Sequence, residues 1–220
     1  MQLVVLPGMD GGAELSRECR TRLAEDFEVH AVEYPHETLP TTELVDLVIE
    51  RAAALSRPVL VAESFSGPIA VEAMHRHPDH FTKGVLVCTF VVAPRSPGLR
   101  PFVQTPLFGR PPPRWAIRRW MVGRDASDDS VSAVHDAIAR VPGRVMADRI
   151  RQVLRVDVRD ALAHLQVPVV SLRARHDRLV RASSAPEAHA TIPSLTLDAP
   201  HLALHARPVE SARAIRESLR

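Results

Sequence analysis

The chain has little of several residue types that carry recognisable functions. Of its 28 Lys and Arg residues only Lys83 is a lysine, and the formal net charge is +2 over 220 residues. The basic residues are dispersed along the chain, so no nucleic-acid partner is expected. The two cysteines, Cys19 and Cys88, have no metal-ligand pairing and no framework spacing. Cys88 closes the apolar run Gly84-Val85-Leu86-Val87-Cys88 and reads as a small buried hydrophobe. No apolar run approaches the roughly 20 residues of a membrane span. The start Met1–Pro7 lacks the basic region and the length of a signal peptide, so a cytoplasmic location is expected. Glycines number 9, and Gly8-x-x-Gly11-Gly12 fits neither the dinucleotide nor the P-loop spacing. No cofactor and no metal are expected.

What remains is an ordinary globular composition, 45% hydrophobic and 25% charged, of a length suited to one domain over 1–220. Short apolar runs recur at Leu3–Leu6, Phe27–Val32, Val59–Ala62, Val85–Cys88, Val167–Leu172 and Leu195–Leu197. Their continuous Val/Leu content suits strands covered on both faces. Helical patterns alternate with them. One opens with a Thr cap at Thr42, another with Pro208 in its first turn. The alternation predicts an α/β fold with a mostly parallel, doubly wound sheet. From about Pro94 to Asp160 no strand pattern occurs. A proline-rich stretch there leads into amphipathic segments carrying Trp115, Ile117, Trp120 and Met121. This length predicts a helical cap or lid, 94–160, inserted after the fourth strand.

The most informative stretch is Pro58–Ala70. The strand Val59–Ala62 runs through Glu63-Ser64-Phe65 into the helical pattern from Ile69 onward. A serine on a sharp strand-to-helix turn, flanked two residues away by small side chains, is the nucleophile-elbow arrangement. Ala62 and Ser66 provide the small flanks around Ser64. Around Ser66 the second flank would be Pro68, so Ser64 is the candidate nucleophile. The usual flanking glycines are replaced, and Gly67 lies one position late.

A serine hydroxyl needs a base to take its proton and an acid to orient the base. On such a sheet these follow in the order Ser, Asp or Glu, His, on loops after later strands. Asp177 follows the strand Val167–Leu172, and His201 follows Leu195–Leu197 before the last helix. Asp198 is the rival acid and His205 the rival base; His176 lies beside the acid and points away from it. A base of ordinary histidine pKa, near 6.5, is expected. The oxyanion needs N–H donors from the residue after the nucleophile and from an early strand-to-helix loop. Phe65 and Met9 occupy those places, Met9 within the glycine-rich Leu6–Gly12.

With these residues assigned, the chain resembles the α/β-hydrolase superfamily. More narrowly, it looks like the small bacterial α/β-fold hydrolases carrying Leu-Pro-Gly-Met-Asp-Gly and Glu-Ser-Phe-Ser-Gly-Pro. The resemblance spans Leu6–Gly12, Ala62–Pro68, His176–Val180, Pro200-His201 and Arg207-Pro208. It implies Ser64 as nucleophile, Asp177 as acid, His201 as base, Met9 and Phe65 at the oxyanion hole, and a helical cap after the strand ending near Phe90. With a first strand at residue 3, the opening hairpin of many members is expected to be absent. The common His-Gly, Gly-His and Gly-His pairs are here Pro7-Gly8, Ala62-Glu63 and Pro200-His201. A serine nucleophile implies ester or thioester hydrolysis and disfavours the aspartate-based chemistries of the superfamily. A carboxylesterase leads, including one acting on a carrier-bound acyl chain; Phe102, Phe108, Trp115, Trp120 and Met121 suggest the lining of an apolar acyl pocket, and core packing explains them as well. Arg114, Arg118 and Arg119 read first as a solvated helix face and second as a receiver of an anionic substrate or carrier. The alternative is a non-catalytic ligand-binding protein on the same fold, supported by the substituted elbow glycines.

Overall fold

A computed structural model describes residues 1–96, 98, 103 and 105–220. Six strands, β1 (Gln2–Leu6), β2 (Glu28–Ala31), β3 (Val59–Glu63), β4 (Lys83–Val87), β5 (Val169–Ala174) and β6 (Ser194–Leu197), form one sheet. Its order is β2-β1-β3-β4-β5-β6, and every pairing is parallel. In β1, β3, β4 and β5 alternation splits the side chains between two covered faces, whereas the edge strands β2 and β6, expected from sequence to be covered as well, are largely exposed. Val4, Leu6, Leu60, Ala62 and Leu86 pack against α2 (Thr41–Ala53) and α3 (Ser66–Arg76). Leu3, Val5, Val59, Val61, Val85 and Val87 pack against α1 (Arg17–Leu23) and α9 (Pro208–Ser218). Burial on both faces is why these strands read as unbroken Val/Leu runs.

The chain order reverses between β1 and β3. A crevice for ligands opens at such a switch point, at the carboxyl ends of the strands. Pairing of Leu6 with Ala62, and of Glu63 with Val87, aligns those ends, so the loops after β1, β3 and β4 meet there.

Between β4 and β5 the described residues form α4 (Arg114–Ile117), a π turn over Arg118–Val122, α5 (Asp128–Ala139), α6 (Gly143–Val153) and α7 (Arg159–Ala163), and the short α8 (Ala203–Ala206) follows β6. One isolated antiparallel bridge, Val92 to Asp157, closes the base of this segment. No helix among the described residues is long and apolar enough to cross a membrane.

Some boundaries differ from the sequence expectations. β5 begins at Val169, not Val167, because Pro168 has no N–H for the ladder, and it runs on through Arg173 to Ala174. α2 starts at Thr41 behind Pro40, with no side-chain cap, so Thr42 lies inside the helix. The Thr41 hydroxyl instead donates to Gln152 Oε1 at 2.9 Å, tying α2 to α6. The Pro208 start of α9 agrees with its fixed φ in the first helical turn.

Candidate active site

Ser64 leaves β3 with φ +52, a left-handed conformation that costs a non-glycine residue about 1–3 kcal/mol. Its backbone is fastened on both sides. The Ser64 N–H donates to Val87 O at 2.9 Å, and its carbonyl accepts from the Gly67 N–H at 3.1 Å and from the Thr89 hydroxyl. The late glycine now has a reason. A Cβ on Gly67 would lie 1.9 Å from Thr89 Oγ1, so Gly67 admits the side chain that braces the turn. Ser66, where a glycine is usual, is fully buried. Its hydroxyl donates to Pro7 O and accepts from Tyr34 Oη at 2.7 Å.

The structure brings Ser64, His201 and Asp177 together. Ser64 Oγ lies 2.9 Å from His201 Nε2, and His201 Nδ1 lies 2.8 Å from Asp177 Oδ2. A carboxylate only accepts, so Nδ1 carries the proton and Nε2 is left to accept from the serine hydroxyl. The other Asp177 oxygen accepts the Leu179 and Val180 N–H groups at 2.8 and 2.9 Å. Burial opposes ionisation of Asp177, but His201 and these N–H donors outweigh it and hold its pKa below the usual carboxylate value. Burial likewise opposes the His201 imidazolium. Asp177 and, more weakly, Glu63 outweigh it, so the His201 pKa is raised above the ordinary histidine value expected from sequence. The loop is pinned from outside by the Leu202 N–H, which donates to Met121 O at 3.0 Å at the π turn.

The rival residues are occupied elsewhere. His176 Nε2 and Asp198 Oδ1 form an exposed pair at 2.8 Å. His205 Nε2 contacts Ser130 Oγ at 2.9 Å, against α5. Met9 and Phe65 flank Ser64 from the loops after β1 and β3. Among the described residues neither of their N–H groups donates to a protein acceptor.

Three features were missed from sequence. Glu63, on the α1/α9 side of β3 directly before Ser64, is buried and accepts the Leu204 N–H at 3.0 Å. Its apolar surroundings push its pKa up to about 7, against the opposing Leu204 N–H and His201. Arg149 of α6 is 3% exposed and donates to Met9 O at 2.8 Å and Pro35 O at 2.9 Å. Tyr34, the one tyrosine in the chain, joins these parts. Its N–H donates to Gly11 O at 2.8 Å, its ring meets Phe65 edge-on, and the Arg149 guanidinium lies 6.0 Å from its centroid.

A cavity of about 450 Å³ opens at Ser64 and His201. Its walls are mostly apolar, including Leu15, Phe108, Met121, Val134, Met146 and Ile150. Of the aromatic candidates, Phe108 and Met121 line it. Trp115 and Trp120 do not, because α4 and the π turn point Ile117 and Val122 inward and leave the indoles 69% and 48% exposed. Phe102 lies outside the described residues. Arg114 and Arg118 contact Ser132 and Asp128 of α5, so they staple neighbouring helices. Among the described residues no group of three or more His, Cys, Asp or Glu side chains could hold a metal ion.

A parallel sheet with its switch-point crevice holding a Ser–His–Asp chain on strand-to-helix loops defines the α/β-hydrolase class of architecture. The chain belongs to the alpha/beta hydrolase family, whose profile matches residues 3–214. Its fold is similar to that of a thermophilic esterase from Thermogutta terrifontis, 20% identical, covering 100% of this chain and 89% of that one with a TM-score of 0.76. It is similar also to the enol-lactonase from Burkholderia xenovorans LB400, at 15% identity, 99% and 90% coverage and a TM-score of 0.77. A hydrolase from Oleispira antarctica superposes at a TM-score of 0.81, with 13% identity and coverage of 99% and 90%. No curated protein matches the chain.

Proposed function

We propose that the protein is a serine hydrolase that cleaves a carboxylic ester or thioester through an acyl-enzyme, with carboxylesters as its principal substrates. The observation that carries this reading is the Ser64–His201–Asp177 chain, at 2.9 and 2.8 Å, opening on an apolar cavity. His201 Nε2 takes the hydroxyl proton as Ser64 Oγ attacks the acyl carbon, and Asp177 stabilises the imidazolium that forms. The Met9 and Phe65 N–H groups receive the developing oxyanion. His201 then gives its proton to the leaving alcohol or thiol, and a water deprotonated by the same nitrogen releases the acid.

The left-handed Ser64 supports the assignment, since strain of this kind is kept where surrounding contacts enforce it. The helices between β4 and β5 act as a cap whose inner side forms the acyl pocket. The cavity falls within the roughly 300–1,000 Å³ of ordinary ligand sites, and its walls favour an apolar acyl group over acetyl. An ester or a methyl ester of a carrier-bound acyl chain fits this description. Fold neighbours named as an esterase and an enol-lactonase are consistent with ester-cleaving chemistry. A panel of p-nitrophenyl esters of increasing acyl length tests the reading. Turnover that rises from acetyl to longer aliphatic acyl groups is expected. A folded protein that turns over none of them would leave only ligand binding.

A further inference from the structure

Three consecutive carbonyls lead into the oxyanion loop, and each is held by a different partner. Pro7 O accepts from the Ser66 hydroxyl, Gly8 O accepts the Gly11 N–H at 3.1 Å, and Met9 O accepts from Arg149 Nη1 at 2.8 Å. Peptide planes are rigid, so holding the carbonyls on either side of Met9 fixes the direction of its N–H. The Gly8–Gly11 bond closes the turn on itself and cannot anchor it to the rest of the molecule. Arg149 supplies an anchor from outside. Its planar fork spans Met9 O and Pro35 O, which sets the spacing between this turn and the loop after β2. Gly11 at φ +75 makes room for it, since a Cβ there would lie 2.6 Å from Nη1.

Arg149 is also an expensive residue to bury. Desolvation lowers its pKa, against the partly compensating charge of buried Asp10. A guanidinium kept at 3% exposure to hold two carbonyls has a cheaper apolar substitute if packing is its only task. Its helix neighbours Met146 and Ile150 line the cavity at Ser64, so α6 touches both the pocket and the loop beneath it.

We propose that Arg149 is a positioning residue for transition-state stabilisation: it docks α6 onto the oxyanion loop and thereby aims the Met9 N–H. This rests on the serine-hydrolase reading above. A misplacement of about 1 Å at such a site costs on the order of a hundredfold in rate, and loss of one oxyanion donor costs about a hundred- to a thousandfold. Arg149 acts one step removed.

The test is ester hydrolysis by Arg149→Met, with binding of an alkyl trifluoromethyl ketone, whose hemiketal oxygen occupies the oxyanion position. We expect kcat to fall roughly 10- to 100-fold and ketone affinity to fall by the same factor, with KM changed less than about twofold. Val134→Ala, which alters the pocket wall from α5, should instead raise KM. A folded Arg149→Met enzyme with wild-type kcat and ketone affinity, or with a loss confined to KM, overturns the proposal. If Arg149→Met does not unfold cooperatively, Arg149→Lys, which keeps the charge but loses the planar fork that spans the two carbonyls, carries the same comparison, with about a tenfold loss expected. Folded wild-type protein that neither binds the ketone nor cleaves any ester brings down the hydrolase reading and this role together. A wild type that does both beside an unaffected variant removes this role alone.

Discussion

Replacing Glu63 by glutamine should change how stability depends on pH. The carboxyl lies next to Ser64 among apolar side chains, and its pKa is pushed up from an ordinary 4.5 to about 7 by burial. Groups that sense its charge from neighbouring elements are His201, Asp10, Asp177, Cys19 and Cys88. Because the folded-state pKa is the higher one, the stabilising difference is complete below pH 4.5 and is lost as pH rises through 7. Each pH unit between two pKa values is worth about 1.4 kcal/mol, so the loss is about 3 kcal/mol across that window. Glutamine keeps the carbonyl that accepts the Leu204 N–H but does not titrate. Its amide N–H groups gain no assured partner, a pH-independent cost of about 1–3 kcal/mol. The quantity to follow is therefore the difference between variant and wild type, by urea unfolding at intervals from pH 4 to 8. That difference should move in favour of Glu63→Gln by about 3 kcal/mol from the acid to the alkaline end. A difference that stays constant across the range refutes the buried, titrating carboxyl.

Other substitutions separate the neighbouring assignments. Asp177→Asn should lower turnover by roughly ten-thousandfold, since an amide favours the wrong histidine tautomer, while Asp198→Asn, altering an exposed pair, should leave ester hydrolysis close to wild type. The acid limb of the pH–rate profile should lie above the ordinary histidine value, because the base must be neutral and the His201 pKa is raised. His201→Ala should remove limb and activity together, whereas His205→Ala, which loses a contact to Ser130, should keep both. Gly67→Ala should destabilise the fold measurably in thermal melts, because its Cβ would meet Thr89 Oγ1 at 1.9 Å. A melting temperature equal to wild type would show that the turn is not braced in this way.

The fold was legible because its signals are local. β1, β3 and β4 are short Val/Leu-rich runs, α2, α3 and α9 carry helical patterns of their own, and the placing of Ser64, Asp177 and His201 depends on loop position alone. Chain order and strand ends sufficed to single out side chains that meet within 3 Å. Contacts across the fold left no such trace. The Tyr34–Ser66, Ser66–Pro7 and Arg149–Met9 bonds join residues 32, 59 and 140 positions apart. Composition and periodicity carry nothing about those pairs. Glu63 did leave a signal: a carboxylate closing an inward-facing strand run asks for a buried partner. Trp115 and Trp120 misled for the opposite reason. Large aromatics in an amphipathic segment suggest the inner face, but the π turn sets the register of that face, and sequence does not reveal it.

Covalent labelling tests directly, and without knowledge of the substrate, whether Ser64 is an activated nucleophile. The folded protein, exposed to a fluorophosphonate probe and digested, should carry one adduct on the peptide containing Ser64, with fragment ions placing it on Ser64 and not on Ser66. Ser64→Ala should remain unlabelled, and His201→Ala should label far more slowly, since the hydroxyl is a poor nucleophile without its base. Folded wild-type protein that stays unlabelled, or an adduct on Ser66, would show that Ser64 is not the activated nucleophile.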